Sequence, residues 1–363
     1  MLGAMNTRRS AGTRTREPFR IGGEAIEPGA RGTVELPISV LSTHQPVTLA
    51  VHVFHGRQAG PVLFLSAAIH GDEVIGVEVI RRLLRVRALT RLRGTLLAVP
   101  VVNAFGFIGR SRYLPDRRDL NRMFPGNPDG SLASQLAHLF MQEVVRRSDV
   151  GIDLHSAAAH RVNLPQVRAD FADPRLRELA EAFAAPVMLG SSLRDGSLRQ
   201  AAQEAGVPVL LYEAGEALRF DELSVRSGLR GVLGVMRHLR MIVGSRRRSD
   251  PVSLVARRSH WLRAPAGGVF RRLVPLGARV VAEQRLGLVS DPFGGREVPL
   301  LARREGLVIG LSNLPVVNQG DALIHIAQLG GESGFEGDLI DALEAELEAE
   351  DLGDFDGPGP AGR

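Results

Sequence analysis

A continuous apolar run, PVLFLSAAIHG at 61–71, ends on a histidine and a glycine. Apolar residues at successive positions mark a strand buried on both faces, which requires a largely parallel sheet covered by helices. The next stretch, GDEVIGVEVIRRLLRVRAL, puts Val74, Val77, Ile80 and Leu84 at helical spacing, with Asp72 near the start. The alternation then continues. GTLLAVPVV (94–102) is a second buried strand, 131–147 a helix, and DVGIDLHS (149–156) a strand that also closes on a histidine. Helices at 173–184 and 194–205, the strand VPVLLYEAG (207–215) and a helix around 222–243 complete the pattern, and short β-rich stretches at 33–56 precede it. Strands alternating with helices predict an α/β fold with a mixed, mostly parallel sheet and helices on both faces. In such sheets ligands bind at the carboxyl ends of the strands. After SRRRSDP (245–251) the pattern changes to short β segments with regular Gly-containing turns over 259–327, which predicts a small all-β domain. The expected organisation is a disordered leader (1–20), an α/β domain (21–250), a β domain (251–330) and an acidic, weakly helical, partly disordered tail (331–363).

The 363 residues, 44% of them hydrophobic and 23% charged, are enough for a sizeable core. No apolar run approaches the roughly 18–20 residues that span a bilayer, so no membrane partner is expected. The basic N-terminus has no apolar segment behind it and reads as a leader rather than a signal peptide, which makes the cytoplasm the default compartment. The absence of cysteine excludes disulfides and thiolate metal sites. A net charge of +5 invites a nucleic-acid partner, but all 45 basic residues are Arg, a bias spread over the whole chain. Aromatic residues make up only 5%, leaving little for base stacking. No nucleic-acid partner is therefore expected. With acidic residues crowded into 331–363, the more basic body favours an anionic small molecule.

Three polar residues stand at strand ends. His70 closes the first strand, Glu73 follows in the turn into the helix, and His155 closes the strand at 149–155. Two imidazoles and one carboxylate suit zinc and leave a coordination position open for water. The alternative for such a short His-x-x-Glu pair is a surface histidine and a glutamate favoured by the helix dipole. Glu213 ends the next apolar strand, in LLYEAGE, where a carboxylate is costly unless paired, metal-bound or protonated. It is either a general base for a water molecule or a strand-end group reaching solvent. The long aperiodic stretch 103–130 contains SRYLPDRRDLNRMFPG, in which Arg112, Arg117, Arg118 and Arg122 sit among the apolar anchors Tyr113, Leu114, Leu120, Met123 and Phe124. A loop of that length inside a compact domain is usually functional or disordered. Its arginines suit carboxylates and developing oxyanions, against the alternative of a solvated basic loop.

Together, AAIHGDE (67–73), VNAFG (102–106), RYLPDRRDLNRMFPG (112–126), DLHS (153–156) and YEAGE (212–216) resemble, in order and spacing over roughly 60–240, the succinylglutamate desuccinylase/aspartoacylase family of the zinc carboxypeptidase superfamily. The resemblance implies a zinc-carboxypeptidase-like α/β domain followed by a barrel-sandwich-like β domain. It implies one Zn2+ per chain held by His70, Glu73 and His155, with Glu213 as base and Asn121 and Arg122 holding a substrate carboxylate. Arg112 would assist at the scissile carbonyl, although the intervening PDRR departs from the family pattern. The implied activity is zinc-dependent hydrolysis of the amide of an N-acyl amino acid or similar acidic small molecule. A metallocarboxypeptidase would use the same residues, and a non-catalytic binding module is the rival from another class. The β domain cannot be a biotinyl or lipoyl carrier, since it has no lysine. Covering the active site, or subunit contact in a homo-oligomer, is its expected role, and Asp291, Glu297 and His325 are its candidates for reaching a site.

Overall fold

A computed structural model describes residues 16–244, 253–330 and 339–349. The architecture is α/β. A twelve-stranded mixed sheet runs through the molecule, and its centre is the predicted set of buried strands. Gln58–Ala67 lies between Arg93–Val99 and Val150–Ala157, parallel to both, and Val209–Glu216 continues the parallel order beyond Val150–Ala157. Side chains alternate between two cores, as the strand repeat of two requires. Leu63, Leu65 and Ala67 face the helices Ile75–Leu83, Pro174–Phe183 and Glu222–His238, while Phe64 faces the opposite core, which contains Leu132–Glu143 and Leu198–Glu204.

The helix after the first strand begins at Ile75, later than the hydrophobic spacing suggests, and its N-cap Val74 makes no side-chain cap. Glu73 therefore stands in the turn ahead of the helix. The stretch between His155 and the helix at 174–183, to which the sequence pattern assigns no element, is a strand, Arg161–Ala169. It pairs antiparallel with Val209–Glu216 and parallel with Val187–Gly190. Pro165 interrupts its pattern, and proline is normally kept out of central strands. This strand lines one side of the site.

The C-terminal strands continue the same sheet across the boundary expected at 250–251. Leu254–Arg263 pairs with Val187–Gly190, and Gly306–Ser312 pairs with Arg161–Ala169. A separate four-stranded sheet of Gly268–Arg272, Arg285–Ser290, Glu297–Leu301 and Val316–Val317 packs over these extensions through Phe270, Leu286, Leu323 and Ile324. At the N-terminus, Arg16 falls within the expected leader yet is anchored, with Nη1 donating to the carbonyls of Gly56 and Gly94, each at 2.8 Å. Phe19–Ile21 is already a strand. Residues 1–15 of that leader lie outside the described residues, as do 331–338 and 350–363 of the acidic tail. Leu339–Ala349 is a helix that buries Leu339, Leu343 and Leu347, with Glu346 3.0 Å from Arg230.

Candidate active site

The parallel register brings the separate strand ends together. Ala67 is the Cα partner of Leu154, and His155 is the partner of Glu213, so the carboxyl-terminal parts of three neighbouring strands share one edge. His70 lies just beyond the first of these strands. The turn carrying it is fixed by Asn103, whose backbone N–H donates to Ala68 O at 3.0 Å and whose side chain accepts from Gly106 N at 2.8 Å. A Cβ on Gly71 would lie 1.9 Å from the carbonyl carbon of Gly106. Only glycine permits that approach. The HG and NAFG segments are thus two halves of one packed turn.

His70, Glu73 and His155 are buried, and their donor atoms lie within 4.8 Å of one another. Glu73 sits between the rings: Oε1 is 2.7 Å from His70 Nδ1 and Oε2 is 2.7 Å from His155 Nδ1. Both outer nitrogens meet carboxylates, His70 Nε2 at 3.1 Å from Asp119 and His155 Nε2 at 2.7 Å from Asp153. Asp153 is itself held by Ser66 Oγ, which donates at 2.7 Å. Burial opposes ionisation of Glu73, but the charges and hydrogen bonds of the two imidazoles outweigh it and hold the carboxyl well below the usual carboxylate range. Asp119 is held low in the same way, with burial overcome by His70 and Arg112. Burial lowers and the neighbouring carboxylates raise both histidines, and the carboxylates win. Imidazoles whose second nitrogen is held by a carboxylate are the usual arrangement around a bound metal.

A cavity of about 440 Å³ opens onto this group. The seven residues to which the family resemblance assigns a role all line it: His70, Glu73, His155, Glu213, Arg112, Asn121 and Arg122. Arg112 is bound to Asp119 at 2.9 Å and to Glu73 at 3.2 Å. Asn121 Oδ1 accepts from Leu198 N at 2.9 Å, tying the arginine-rich loop to the helix beyond it. Leu114, Leu120 and Phe124 anchor that loop in the core, whereas Tyr113, expected as another anchor, is 48% exposed. Glu213 is neither isolated nor simply solvated. Asn163 Nδ2 donates to it at 2.7 Å, and Arg168 Nη1 lies 3.2 Å from its other oxygen.

The C-terminal strands supply one wall. Trp261 and His325 stack with ring centroids 4.6 Å apart and planes 8° apart, and the Arg161 guanidinium lies 5.1 Å from the centre of the Trp261 ring. Burial first, and then Arg168, His260 and Arg161, push the His325 imidazole down to about 3. Of the three β-domain candidates only His325 reaches the cavity. Asp291 instead accepts from the backbone of Phe293 in its own turn, and Glu297 accepts from Ser290. The sequence pattern did not single out Asp119, Asp153, Asn163, Arg168, Arg199 or Trp261. Asp153 alone had a local signal, since it stands two residues before His155 on the same side of a strand.

The sequence profile of the succinylglutamate desuccinylase/aspartoacylase catalytic domain matches residues 59–239. The chain belongs to the succinylglutamate desuccinylase/aspartoacylase family. A curated relative is the N-alpha-acetyl-L-2,4-diaminobutyric acid deacetylase of Halomonas elongata, 26% identical over 311 residues that cover 82% of this chain and 91% of that protein. The product-bound structure of the ectoine utilization protein EutE (DoeB) from Ruegeria pomeroyi superposes with a TM-score of 0.74 at 26% identity, covering 82% of this chain and 94% of that one. The succinylglutamate desuccinylase/aspartoacylase of Rhodobacter sphaeroides gives 0.75 at 26% identity, covering 83% and 96%. Both matches extend well past residue 239, so the likeness takes in the C-terminal strands as well as the catalytic domain of the family. Among the described residues no helix is long and apolar enough to cross a membrane.

Proposed function

We propose that this family member is a zinc-dependent hydrolase that cleaves the amide bond of an N-acyl amino acid or a similar carboxylate-bearing amide. The observation that carries the reading is the register of Glu213 beside His155, which sets a carboxylate next to a buried His-Glu-His donor set in one cavity. The donors fit zinc: two imidazole Nδ1 atoms and one carboxylate converge, and Asp119 and Asp153 hold the far nitrogens. One Zn2+ there supplies a Lewis acid for the scissile carbonyl and makes water a nucleophile near neutral pH.

The remaining chemistry belongs to the side chains. Glu213 takes a proton from the attacking water and returns it to the leaving nitrogen, and Asn163 orients its carboxylate. Arg112 presents a guanidinium to the carbonyl oxygen as negative charge develops there. Asn121 and Arg122 hold the substrate carboxylate and fix the amide against the base. The deacetylase of Halomonas elongata, which by its name acts on an N-acetylated amino acid, agrees with this class of reaction.

The decisive experiment is product release from a panel of N-acyl amino acids and short peptides, run with chelator and with zinc rescue. Zinc-dependent release from N-acyl amino acids is expected, whereas release of C-terminal residues from peptides would make the enzyme a carboxypeptidase. Glu213→Gln should keep stoichiometric zinc by metal analysis and lose about 10²–10⁴-fold in kcat. Undiminished turnover in that variant would remove Glu213 as base.

A further inference from the structure

The strand that carries Glu213 ends on a second buried carboxylate, Glu216, for which the proposed reaction has no use. Pairing with both neighbouring strands shifts register between the two residues. Glu213 is the partner of His155 and Gln166, whereas Glu216 is the partner of Ala157 and Gly215 that of Asn163. Gly215 takes a φ of +66° at this irregularity, a conformation that glycine adopts without strain. One oxygen of Glu216 accepts from the His160 backbone N–H at 3.1 Å, and the other accepts from Asn313 Nδ2 at 3.0 Å. Arg219 Nε also lies 3.5 Å away, but its side chain is 69% exposed and such a pair contributes little. The carbonyl of His160 is held as well, accepting from Asn313 N at 2.8 Å. His160 requires this, because its φ of +64° is left-handed, and a residue other than glycine stays there only where its surroundings fix it.

The turn so fixed leads directly to the partner of the proposed base. His160 joins Val150–Ala157, the strand of His155, to Arg161–Ala169, and Asn163 follows three residues later with Nδ2 donating to Glu213. Asn163 is the partner of Gly310 in Gly306–Ser312, and Asn313 stands immediately after that strand. A Cβ on Gly310 would lie 2.9 Å from Asn163 Oδ1, so the amide is packed directly on that backbone. Each hydrogen bond of Glu216 therefore ends on a segment that bounds the Asn163 side chain. We infer that Glu216 is a positioning residue, which through His160 and Asn313 sets the Asn163 amide against Glu213 and makes the aim of the base depend on the C-terminal strands. The inference rests on the proposed amide hydrolysis for its effect on rate, while the positioning itself is a matter of geometry. Asn121 and Arg122, proposed to hold the substrate carboxylate, lie outside this linkage, so the loss of Glu216 acts on kcat and spares KM.

Geometry is read first, from crystal structures of the variants, so that it does not depend on turnover. Glu216→Ala should lengthen the 2.7 Å contact between Asn163 and Glu213 beyond hydrogen-bond distance. Glu216→Gln should keep it, because the new amide can accept from His160 and donate to a flipped Asn313. An unchanged Asn163–Glu213 contact in Glu216→Ala overturns the inference even if amide hydrolysis is established. Kinetics on whichever N-acyl amino acid is cleaved then separates kcat from KM. Glu216→Ala should lower kcat by about tenfold or more, as misplacing a reacting group does, with KM nearly unchanged. Glu216→Gln should stay near wild type. Asn313→Asp sets a second carboxylate against Glu216 and should also lower kcat. Combining it with Glu216→Gln puts a donor opposite an acceptor again and should restore the rate. That exchange decides the matter if Glu216→Ala does not fold, and the thermal transition of each variant shows which are folded. A rise in KM that matches the loss in kcat, or a double variant as slow as Asn313→Asp, marks general distortion of the cavity and overturns positioning. If wild type cleaves no amide in the panel, the proposed activity fails and the crystal structures still decide the positioning.

Discussion

At the scale of single residues, the site is built from carboxylates that hold imidazoles. Asp153 holds His155 and is held by Ser66, so the ring that faces the proposed zinc has its far nitrogen fixed. Replacing that carboxylate with an amide keeps the shape and removes the charge. Asp153→Asn should weaken zinc affinity or activity about 10–100-fold, measured by competition with a chromophoric chelator. An unchanged affinity would mean that Asp153 acts only in packing. His325 is a different case, a histidine kept neutral. Its pKa, pushed down to about 3 by burial and by Arg168, His260 and Arg161, lies below that of an unfolded histidine. Between those values the unfolded chain binds a proton that the folded chain refuses, so stability is full above the unfolded pKa and falls as pH drops below it. The thermal transition of His325→Gln should therefore fall less than that of wild type between pH 7.5 and pH 5. Parallel decreases would show that His325 does not titrate in this way. The low-lying Glu73 and Asp119 lose their contribution only at more acidic pH, so the comparison separates them.

At the scale of elements, short motifs act by fitting against each other. The turn after Gln58–Ala67 presents His70 because Gly71 packs on the backbone at Gly106, in the short helix Ala104–Gly109 that Asn103 caps. Gly71→Ala would force the two backbones apart. Its expected cost is the upper part of the range of about 1–3 kcal/mol for overpacking, because the obstacle is main chain that cannot rotate away. Chemical denaturation measures that cost, and zinc content should fall with it, since the same turn carries a proposed ligand. A silent Gly71→Ala would mean that the turn is more pliable than its contacts imply. The arginine-rich loop shows the same principle. Leu114, Leu120 and Phe124 are buried, and Asn121 binds the backbone of Leu198, so the loop is held as firmly as a secondary element.

At the scale of the whole molecule, the C-terminal strands complete the sheet and the cavity together. Leu254–Arg263 and Gly306–Ser312 cover the edges of Val187–Gly190 and Arg161–Ala169, and Leu164, Val187 and Leu189 are buried against Leu254, Ala256, Leu307 and Ile309. A chain ending at residue 250 would leave those edges and that apolar cluster open, and uncovered edge strands associate. It should aggregate or elute as large species in size-exclusion chromatography with light scattering. A well-folded monomer of residues 1–250 would show that the two parts are independent. The truncation would also remove Trp261 and His325 from the cavity, so the catalytic part of the chain is chemically incomplete without the β region.

The sequence alone was enough to determine the strand–helix alternation and to put His70, His155 and Glu213 near the carboxyl ends of strands, because hydrophobic periodicity is local; the strands themselves end at Ala67, Ala157 and Glu216, since backbone pairing does not stop where an apolar run does. The likeness of the five motifs then suggested roles that periodicity could not. Tertiary structure decided the partners. Asp119 reaches His70 from 49 residues away and Asn163 reaches Glu213 from 50, and no local pattern encodes such pairings. The strand Arg161–Ala169 was hidden by Pro165, and with it Arg168 and the wall that the β region completes. Strand pairing is settled by long-range register, and charge matching in a cavity only by which side chains that register brings together.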